Sequence, residues 1–148
     1  AYEIASCLVG SEMCIRDRSV RDKYPTKTII AGNVVTADMT QELVLSGADI
    51  VKVGIGPGSV CTTRIQTGHG IPTLSAVMKC ASAKKDILEE GSNAAYIIAD
   101  GGIKNSGDIV KSLAAGADFV ILGSMLSGTR ETPGKVIMQD GKKIKRYN

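Results

Sequence analysis

Aromatic residues and paired cysteines are scarce in this chain. Tryptophan is absent and only one phenylalanine occurs, so the core is expected to be aliphatic. The four cysteines lie far apart and lack the Cys-x-x-Cys spacing of zinc sites. Neither a zinc site nor a disulfide framework is therefore indicated. A reducing, cytoplasmic setting is the expected one.

Long apolar runs and strong net charge are also missing. No apolar run approaches the roughly 20 residues that a membrane span requires. The net charge of +3 is small and dispersed, which argues against a membrane or nucleic-acid partner. The one basic cluster, residues 142–146, predicts a solvated strand face beside a turn. With 43% hydrophobic residues, the 148-residue chain has the composition of one globular domain with a sizeable core.

The first eighteen residues differ from the rest of the chain. They show neither convincing periodicity nor the long apolar region of a signal peptide. Within them, SCLVGSEMCIRDR is similar to a translated sequencing-adapter string. We therefore expect residues 1–18 to be foreign and not to pack on the later units, and we assign no function to Cys7 or Cys14. A native but poorly patterned helix is the alternative.

From Ser19 onward, short apolar runs alternate with helical patterns. A helix is predicted to end before Pro25, and Thr36 or Asp38 is predicted to cap the helix that follows. The predicted strands are 28–31, 49–53, 95–99 and 119–122, and the predicted helices are 39–45, 74–88 and a helix that follows Gly107-Asp108 and ends at Ala115. The 74–88 helix places Leu74, Val77, Met78, Ala81 and Leu88 on one side. A hairpin is predicted over 135–145 around Asp140-Gly141.

An internal echo supports the alternation. The segment SGADIVKVG, residues 46–54, matches AGADFVILG, residues 115–123. Each reads as a helix stop, an aspartate, a buried strand and a glycine. Repeated strand–helix units of this kind indicate a parallel sheet.

A glycine-rich segment, GIGPGSVCTTRIQTGHG at residues 54–70, follows the second strand. Three glycines and a proline within five positions exclude a helix or a regular strand interior. The segment is therefore a loop whose backbone can approach a ligand closely. Cys61 lies within it and is a candidate nucleophile if its thiolate is stabilised. The alternative is that Cys61 is one more small buried residue.

The string GIGPGSVCTTR resembles the cysteine loop of the IMP dehydrogenase/GMP reductase family. The similarity extends from about Ser19 to the C-terminus. The family fold is a TIM (β/α)8 barrel, which typically needs roughly 250 residues. The resemblance implies an α/β fold in which residues 19–148 form the C-terminal half of that barrel, about four βα units on parallel strands five to eight, plus a hairpin. It also implies a gene fragment truncated at both ends, because the family continues into an active-site flap after Asn148.

Ligands of such barrels lie where strands end and loops begin. Glycines or short polar residues mark all four strand ends, at 32–33, 54–61, 100–102 and 123–124. The loops after strands seven and eight, with a helix start near Met125, would supply free N–H groups to a phosphate. By resemblance, Ser59, Gly101, Gly102, Gly123 and Ser124 bind the 5′-phosphate of a purine nucleotide. Asp100 would accept hydrogen bonds from the ribose hydroxyls, the alternative being a helix cap.

The resemblance also assigns the reacting groups. Cys61 matches the nucleophile that adds to purine C2, and Thr63 matches the threonine that helps to move a proton. The backbone carbonyls of Gly56, Gly58 and Cys61 match those that hold a monovalent cation, K⁺. Cys80 lies in an amphipathic helix and is expected to serve packing. A nicotinamide cofactor is implied, but its binding residues are unknown.

Local strings distinguish the two branches of the family. Residues 31–36, 45–50, 59–61 and 74–77 resemble the reductase, whereas 99–103 and 123–125 resemble the dehydrogenase. Thr73 stands where both branches usually have glutamine. The balance favours a GMP reductase, which converts GMP to IMP and ammonia with NADPH through a Cys61–C2 adduct. The alternatives are IMP dehydrogenase, which oxidises IMP to XMP with NAD, and an inactive phosphate-binding half-barrel. The full-length parent is expected to be a cytoplasmic homotetramer.

Overall fold

The computed structural model describes residues 11–89, 91 and 95–145. Four parallel strands form one sheet in the order β1-β2-β3-β4, and two further strands form a separate antiparallel hairpin. In chain order the elements are α1 (Ser11–Lys23), β1 (Ile30–Val34), α2 (Ala37–Leu45), β2 (Ile50–Val53), α3 (Thr63–Thr67), α4 (Thr73–Glu89), β3 (Tyr96–Asp100), α5 (Ser106–Ala114), β4 (Phe119–Ile121), β5 (Val136–Gln139) and β6 (Lys142–Lys145).

The predicted fold class is confirmed. Each strand of the sheet pairs in parallel with the next, for example Val51 with Ile97 and Ala99 with Val120. Helices connect the strands, as a parallel sheet requires. The hairpin joins Val136 with Lys145 at its open end. This is an α/β arrangement corresponding to the C-terminal part of a (β/α)8 barrel, followed by a hairpin.

The first strand differs from its predicted bounds. It was expected to end at Gly32-Asn33, but it runs on to Val34, which pairs with Val53. The register shifts between Gly32 and Val34. An irregularity of this kind lets a strand pass through a glycine without ending. Asn33 therefore lies inside the strand, close to its carboxyl end.

The core lies between the sheet and the helices on one of its faces. Buried strand residues such as Val51, Val53 and Ile97 pack against Leu43 of α2 and Val77 of α4. Every buried hydrophobic residue in the described part of the chain is aliphatic or cysteine, as predicted. The opposite face of the sheet is less covered: its side chains Ile30, Tyr96, Phe119 and Ile121 are 36–51% exposed.

The apolar face of α4 was predicted correctly at Val77 but wrongly at three other positions. Leu74, Met78 and Leu88 are exposed. The helix instead buries a stripe of mostly small residues: Ala76, Val77, Cys80, Ala83 and Ile87. Small side chains let the helix approach the sheet closely, and this outweighs the larger area of leucine and methionine. Cys80 is fully buried, which confirms its packing role.

Two helices begin with side-chain caps. Thr36 Oγ1 accepts a hydrogen bond from the Met39 N–H at 3.4 Å, so Thr36 is the cap of α2. Asn105 Oδ1 accepts from the Asp108 N–H at 3.0 Å and caps α5. Caps of this type satisfy N–H groups that have no partner within the helix.

The aspartate at the start of β2 joins three parts of the fold. Asp49 Oδ2 accepts from the Ile29 N–H at 2.7 Å and from Arg21 Nη2 at 2.5 Å. Arg21 also donates from Nε to the Gly47 carbonyl at 3.0 Å. One carboxylate thus ties its strand to the preceding strand and to α1.

Asp118, before β4, repeats this arrangement. Its Oδ2 accepts from the Ile97 N–H at 2.7 Å and from Lys84 Nζ of α4 at 2.7 Å. The two aspartates occupy equivalent places in the sequence echo. In this repeated connection, a carboxylate just before one strand binds the start of the preceding strand and a basic side chain of the helix before that strand, α1 or α4.

Helix α1 ends at Lys23, before Pro25, as predicted. It begins inside the segment expected to be foreign. Cys7 lies outside the described residues, and so do the side chains of residues 11–15, including Cys14. Asp17 is buried, and its Oδ2 has no hydrogen-bond partner within the described residues. Burial raises the pKa of this carboxyl group.

Among the described helices, none combines the length and apolarity needed to cross a membrane.

Candidate active site

A cleft of about 420 Å³ opens where β2, β3 and β4 reach their carboxyl ends. This volume lies in the range of small-molecule sites, roughly 300–1,000 Å³. The structure brings all six predicted substrate-binding residues to this cleft: Ser59, Asp100, Gly101, Gly102, Gly123 and Ser124. They come from three separate loops, so the fold, rather than sequence proximity, assembles the site.

The first two of these loops touch through Pro57. A side chain at Gly101 would place its Cβ 2.7 Å from Pro57 Cγ. A side chain at Gly54 would collide with the Asp100 carbonyl oxygen. Both glycines also have positive φ angles, +89° and +134°. Glycine is therefore required at both positions for the loops to meet.

Asp100 ends β3 with its carboxylate in a polar network. Its Oδ2 accepts a hydrogen bond from Asn33 Nδ2 at 2.8 Å and lies 3.3 Å from Lys52 Nζ. Asn33 Nδ2 also donates to the Gly54 carbonyl at 2.6 Å. Since Asn105 caps α5, the alternative role of Asp100 as a helix cap is not supported. Within the described residues, Oδ1 is available to a ligand.

Cys61 lies at the rim of the cleft. It is half-buried and directly follows Val60. Val60 lines the cleft, but Cys61 and Thr63 are not among its lining residues. Cys61 Sγ and Thr63 Oγ1 are 3.3 Å apart, within hydrogen-bond distance. Hydrogen bonds from the Thr63 hydroxyl and the Thr63 N–H lower the pKa of the Cys61 thiol, and the charge of Arg64 adds to this. These contacts favour the thiolate form, which a cysteine nucleophile requires.

The predicted cation ligands lie in a tight turn. The Gly58 carbonyl accepts a hydrogen bond from the Cys61 N–H at 3.1 Å, and this brings two of the three residues together. A carbonyl oxygen has a second lone pair, so Gly58 can still coordinate an ion. Gly56 has φ +69°, a conformation that turns the chain sharply. Neutral backbone oxygens of this kind suit K⁺. In the part of the chain that the structure describes, no cluster of three His, Cys, Asp or Glu side chains suits a metal.

The segment after β4 forms turns instead of the helix predicted near Met125. The Leu126 N–H bonds the Gly123 carbonyl at 2.9 Å, and the Ser127 N–H bonds the Ser124 carbonyl at 3.3 Å. The Ser127 hydroxyl also donates to the Ser124 carbonyl, at 2.7 Å. Hydroxyl side chains compete with the backbone in this way and interrupt helices. Any phosphate site here would rest on turn N–H groups and not on a helix terminus.

Lys145 differs from the solvated strand face predicted for residues 142–146. Lys142 and Lys143 are exposed, as predicted, and Arg146 lies outside the described residues. Lys145 is half-buried, lines the cleft, and donates to the carbonyls of Thr129, at 2.8 Å, and Thr132. Sequence reasoning missed it because the position of a hairpin over a cleft leaves no local signal.

Lys52 was also missed. It alternates with the buried Val51 and Val53, so its side chain belongs to the opposite face of the sheet. The sequence held one signal for this contact, a charged residue between two apolar residues of a strand.

Comparison with known proteins places this arrangement in a family. The family model described as "IMP dehydrogenase / GMP reductase domain" matches residues 10–148. The chain belongs to this family. GMP reductase 2 of Mus musculus is 55% identical over 130 residues, which cover 88% of this chain and 36% of the relative. GMP reductase of Vibrio atlanticus (strain LGP32) is 53% identical over 130 residues, with the same coverage.

A solved structure agrees with these relatives. The crystal structure of a cysteine-to-alanine variant of GMP reductase from Trypanosoma brucei matches with a TM-score of 0.80 and 41% identity. The match covers 89% of this chain and 28% of that chain. The chain thus spans 36% of the curated relatives described above. All three of these relatives are named GMP reductase, the branch that the local strings favour.

Proposed function

We propose that the protein to which this chain belongs is a GMP reductase that converts GMP to IMP and ammonia with NADPH. The observation that carries the proposal is the cleft: six residues from three loops converge beside a thiol with a lowered pKa. Convergent polar groups in a concave site, together with a perturbed nucleophile, are typical of active sites.

The nucleotide would lie with its phosphate against the two later loops. Gly102, Gly123 and Ser124 of these loops, together with Ser59 of the loop after β2, line the cleft and offer hydroxyl or backbone N–H donors. Asp100, held by Asn33 and Lys52, would accept the two ribose hydroxyls. Adjacent hydroxyls match two carboxylate oxygens.

Cys61 would then attack purine C2 as a thiolate. A C–S bond forms, the 2-amino group leaves as ammonia, and the thiolate departs after C2 has been reduced. Thr63, whose hydroxyl is 3.3 Å from Sγ, is placed to pass a proton towards the leaving group. NADPH supplies the hydride. The balance is GMP, NADPH and two protons giving IMP, NADP⁺ and ammonium.

The carbonyls of Gly56, Gly58 and Cys61 would hold K⁺ beside this loop. Because they belong to the same turn as the nucleophile, a bound ion would limit movement of the turn. The full-length protein would act as a homotetramer in the cytoplasm.

The test uses the full-length protein with Cys61→Ala and Asp100→Ala. We expect Cys61→Ala to abolish IMP formation while the Kd for GMP stays within about threefold, since affinity rests on phosphate and ribose contacts. Asp100→Ala should weaken GMP binding by about tenfold or more, because it removes charged hydrogen bonds worth about 1.5–3 kcal/mol each at most. Asp38→Ala, at an exposed position, is the control.

Mass spectrometry should find the nucleotide adduct on Cys61 and not on Cys80. Full activity in Cys61→Ala would exclude the nucleophile, and unchanged affinity in Asp100→Ala would exclude the ribose contact.

The same protein should be assayed with IMP and NAD. The strings at 99–103 and 123–125 resemble the dehydrogenase, and most of their residues line the cleft. IMP dehydrogenase is therefore the second candidate function. Formation of XMP, with no IMP formed from GMP, would assign the dehydrogenase instead.

A further inference from the structure

Arg64 joins the two ends of the loop that carries Cys61. Its Nε donates to the Ile55 carbonyl at 3.0 Å, and its Nη2 donates to the Ile71 carbonyl at 2.6 Å. Ile55 lies just after β2, and Ile71 lies just before α4. One guanidinium therefore closes the whole loop between the sheet and the helix.

Two glycines leave room for this side chain. A Cβ at Gly56 would lie 2.9 Å from Arg64 Cγ, and a Cβ at Gly70 would lie 2.7 Å from Arg64 Nε. Real Cβ atoms do not approach other atoms so closely, so either substitution would push the guanidinium off its carbonyls. The structure therefore explains both glycines by their contact with Arg64, in addition to any ligand role.

The geometry points to Arg64 as the positioning residue of Cys61. Cys61 lies in the middle of the closed loop, half-buried, with its neighbour Val60 against the cleft. Among the described residues, no other side chain forms hydrogen bonds with both Ile55 and Ile71. A lysine offers one ammonium and no planar fork, so it cannot make both bonds in the same geometry. This inference rests on the proposed function only in naming the nucleotide as the partner of Cys61.

The first test measures loop order by amide hydrogen exchange in the 148-residue chain. We expect Arg64→Gln to accelerate exchange across residues 55–72 by about tenfold or more, while β2 and β3 keep their protection. Arg64→Lys should give an intermediate change. Millimolar guanidinium chloride should restore protection in Arg64→Gln, whereas equal sodium chloride should not. Arg130→Gln, an exposed arginine, is the matched control.

Iodoacetamide labelling, resolved by peptide mass, monitors folding in the same samples. Cys80 is fully buried and should stay unlabelled in every variant. If Cys80 becomes labelled in Arg64→Gln, that variant is not folded. The exchange of residues 55–72 in Arg64→Lys then decides whether Arg64 orders the loop. Unchanged exchange of residues 55–72 in a folded variant overturns the inference, and so does a failure of guanidinium to restore protection.

The second test uses the full-length protein and GMP. In the wild type, bound GMP should protect Cys61 from iodoacetamide. In Arg64→Gln the Kd for GMP should stay within about threefold, since the phosphate contacts remain, but protection of Cys61 should be lost. Retained protection would contradict a positioning role. If GMP does not bind the wild type, the proposed function fails, while the exchange and guanidinium results still decide the role of Arg64.

Discussion

At the scale of single residues, two aspartates show how the surroundings decide a role. Asp100 is bonded by Asn33 and Lys52, so its charge is compensated at the edge of the cleft. Asp17 is buried without a partner for Oδ2 among the described residues. The first arrangement holds a carboxylate in one orientation, as a ligand site needs. The second is costly when the carboxyl group is ionised, because a buried polar atom without a partner loses its hydration.

Replacing Asp17 should therefore stabilise the chain. Burial raises the pKa of Asp17 in the folded state, so the ionised form costs stability above that pKa, and the cost vanishes as the pH falls below the unfolded value. We expect Asp17→Asn to raise the free energy of unfolding by about 1 kcal/mol at neutral pH. Urea melts of both proteins should converge in acid. A destabilised Asp17→Asn chain, or an equal difference at both pH values, would contradict this.

The thiol of Cys61 should depend on its nearest hydroxyl. The largest contribution to its lowered pKa is the hydrogen bond with Thr63. Thr63→Val removes that hydroxyl, so the pKa should rise and iodoacetamide labelling of Cys61 should slow at neutral pH, its profile moving to higher pH. Thr62→Val, one position earlier, should leave the profile in place, because Thr62 makes no side-chain cap bond. Equal profiles for the two variants would remove Thr63 from this role.

At the scale of elements, the sequence predicted what depends on local chemistry. The β-branched runs followed by glycine marked all four parallel strands, and Asp140-Gly141 marked the hairpin. The prediction failed where tertiary packing decides which residues are buried: α4 buries Ala76 and Ala83 and leaves Leu74 and Met78 exposed. The same limit hid the contacts of Lys145 and the pairing of Lys52 with Asp100. These contacts depend on strand register and hairpin placement, and neither has a local signature.

The strand-start aspartates were predicted as part of an echo, and the structure shows what they bind. Asp118→Ala removes the contacts with Lys84 Nζ and the Ile97 N–H, both at 2.7 Å. Bonds to a charged group at a partly buried site are worth about 1.5–3 kcal/mol, so we expect a loss of about 2 kcal/mol in unfolding free energy. The control is Glu89→Ala, which breaks an exposed pair with Lys85 on the same helix and should cost less than about 0.5 kcal/mol.

A double-mutant cycle with Lys84→Met separates the two bonds of Asp118. Coupling near zero would mean that the Ile97 N–H alone carries the effect. Equal losses in Asp118→Ala and Glu89→Ala would show that the repeated connection does not stabilise the sheet.

At the scale of the whole molecule, the sheet has one covered and one open face. Helices bury the side that carries Val51, Ile97 and Ala99. On the other side, Tyr96 and Phe119 contact each other edge to face with ring centroids 5.8 Å apart, and both remain about half exposed. Alternate residues of parallel strands would face the interior if the sheet closed into a barrel. The same open face carries Lys52 and Asp100, so the polar end of the site borders the uncovered region.

The 148-residue chain on its own is therefore expected to show no turnover of GMP with NADPH. A site whose polar network borders an uncovered sheet face cannot exclude water or hold the reacting groups as a closed barrel does. IMP formation should not exceed that of the Cys61→Ala chain, whereas the full-length protein should be active under the same conditions. The open face should also bind the dye ANS, and Phe119→Lys should reduce that binding because it places a charge beside the exposed ring of Tyr96. IMP formation above the Cys61→Ala background would show that the described units alone assemble a working site, and the open face would then have no bearing on catalysis.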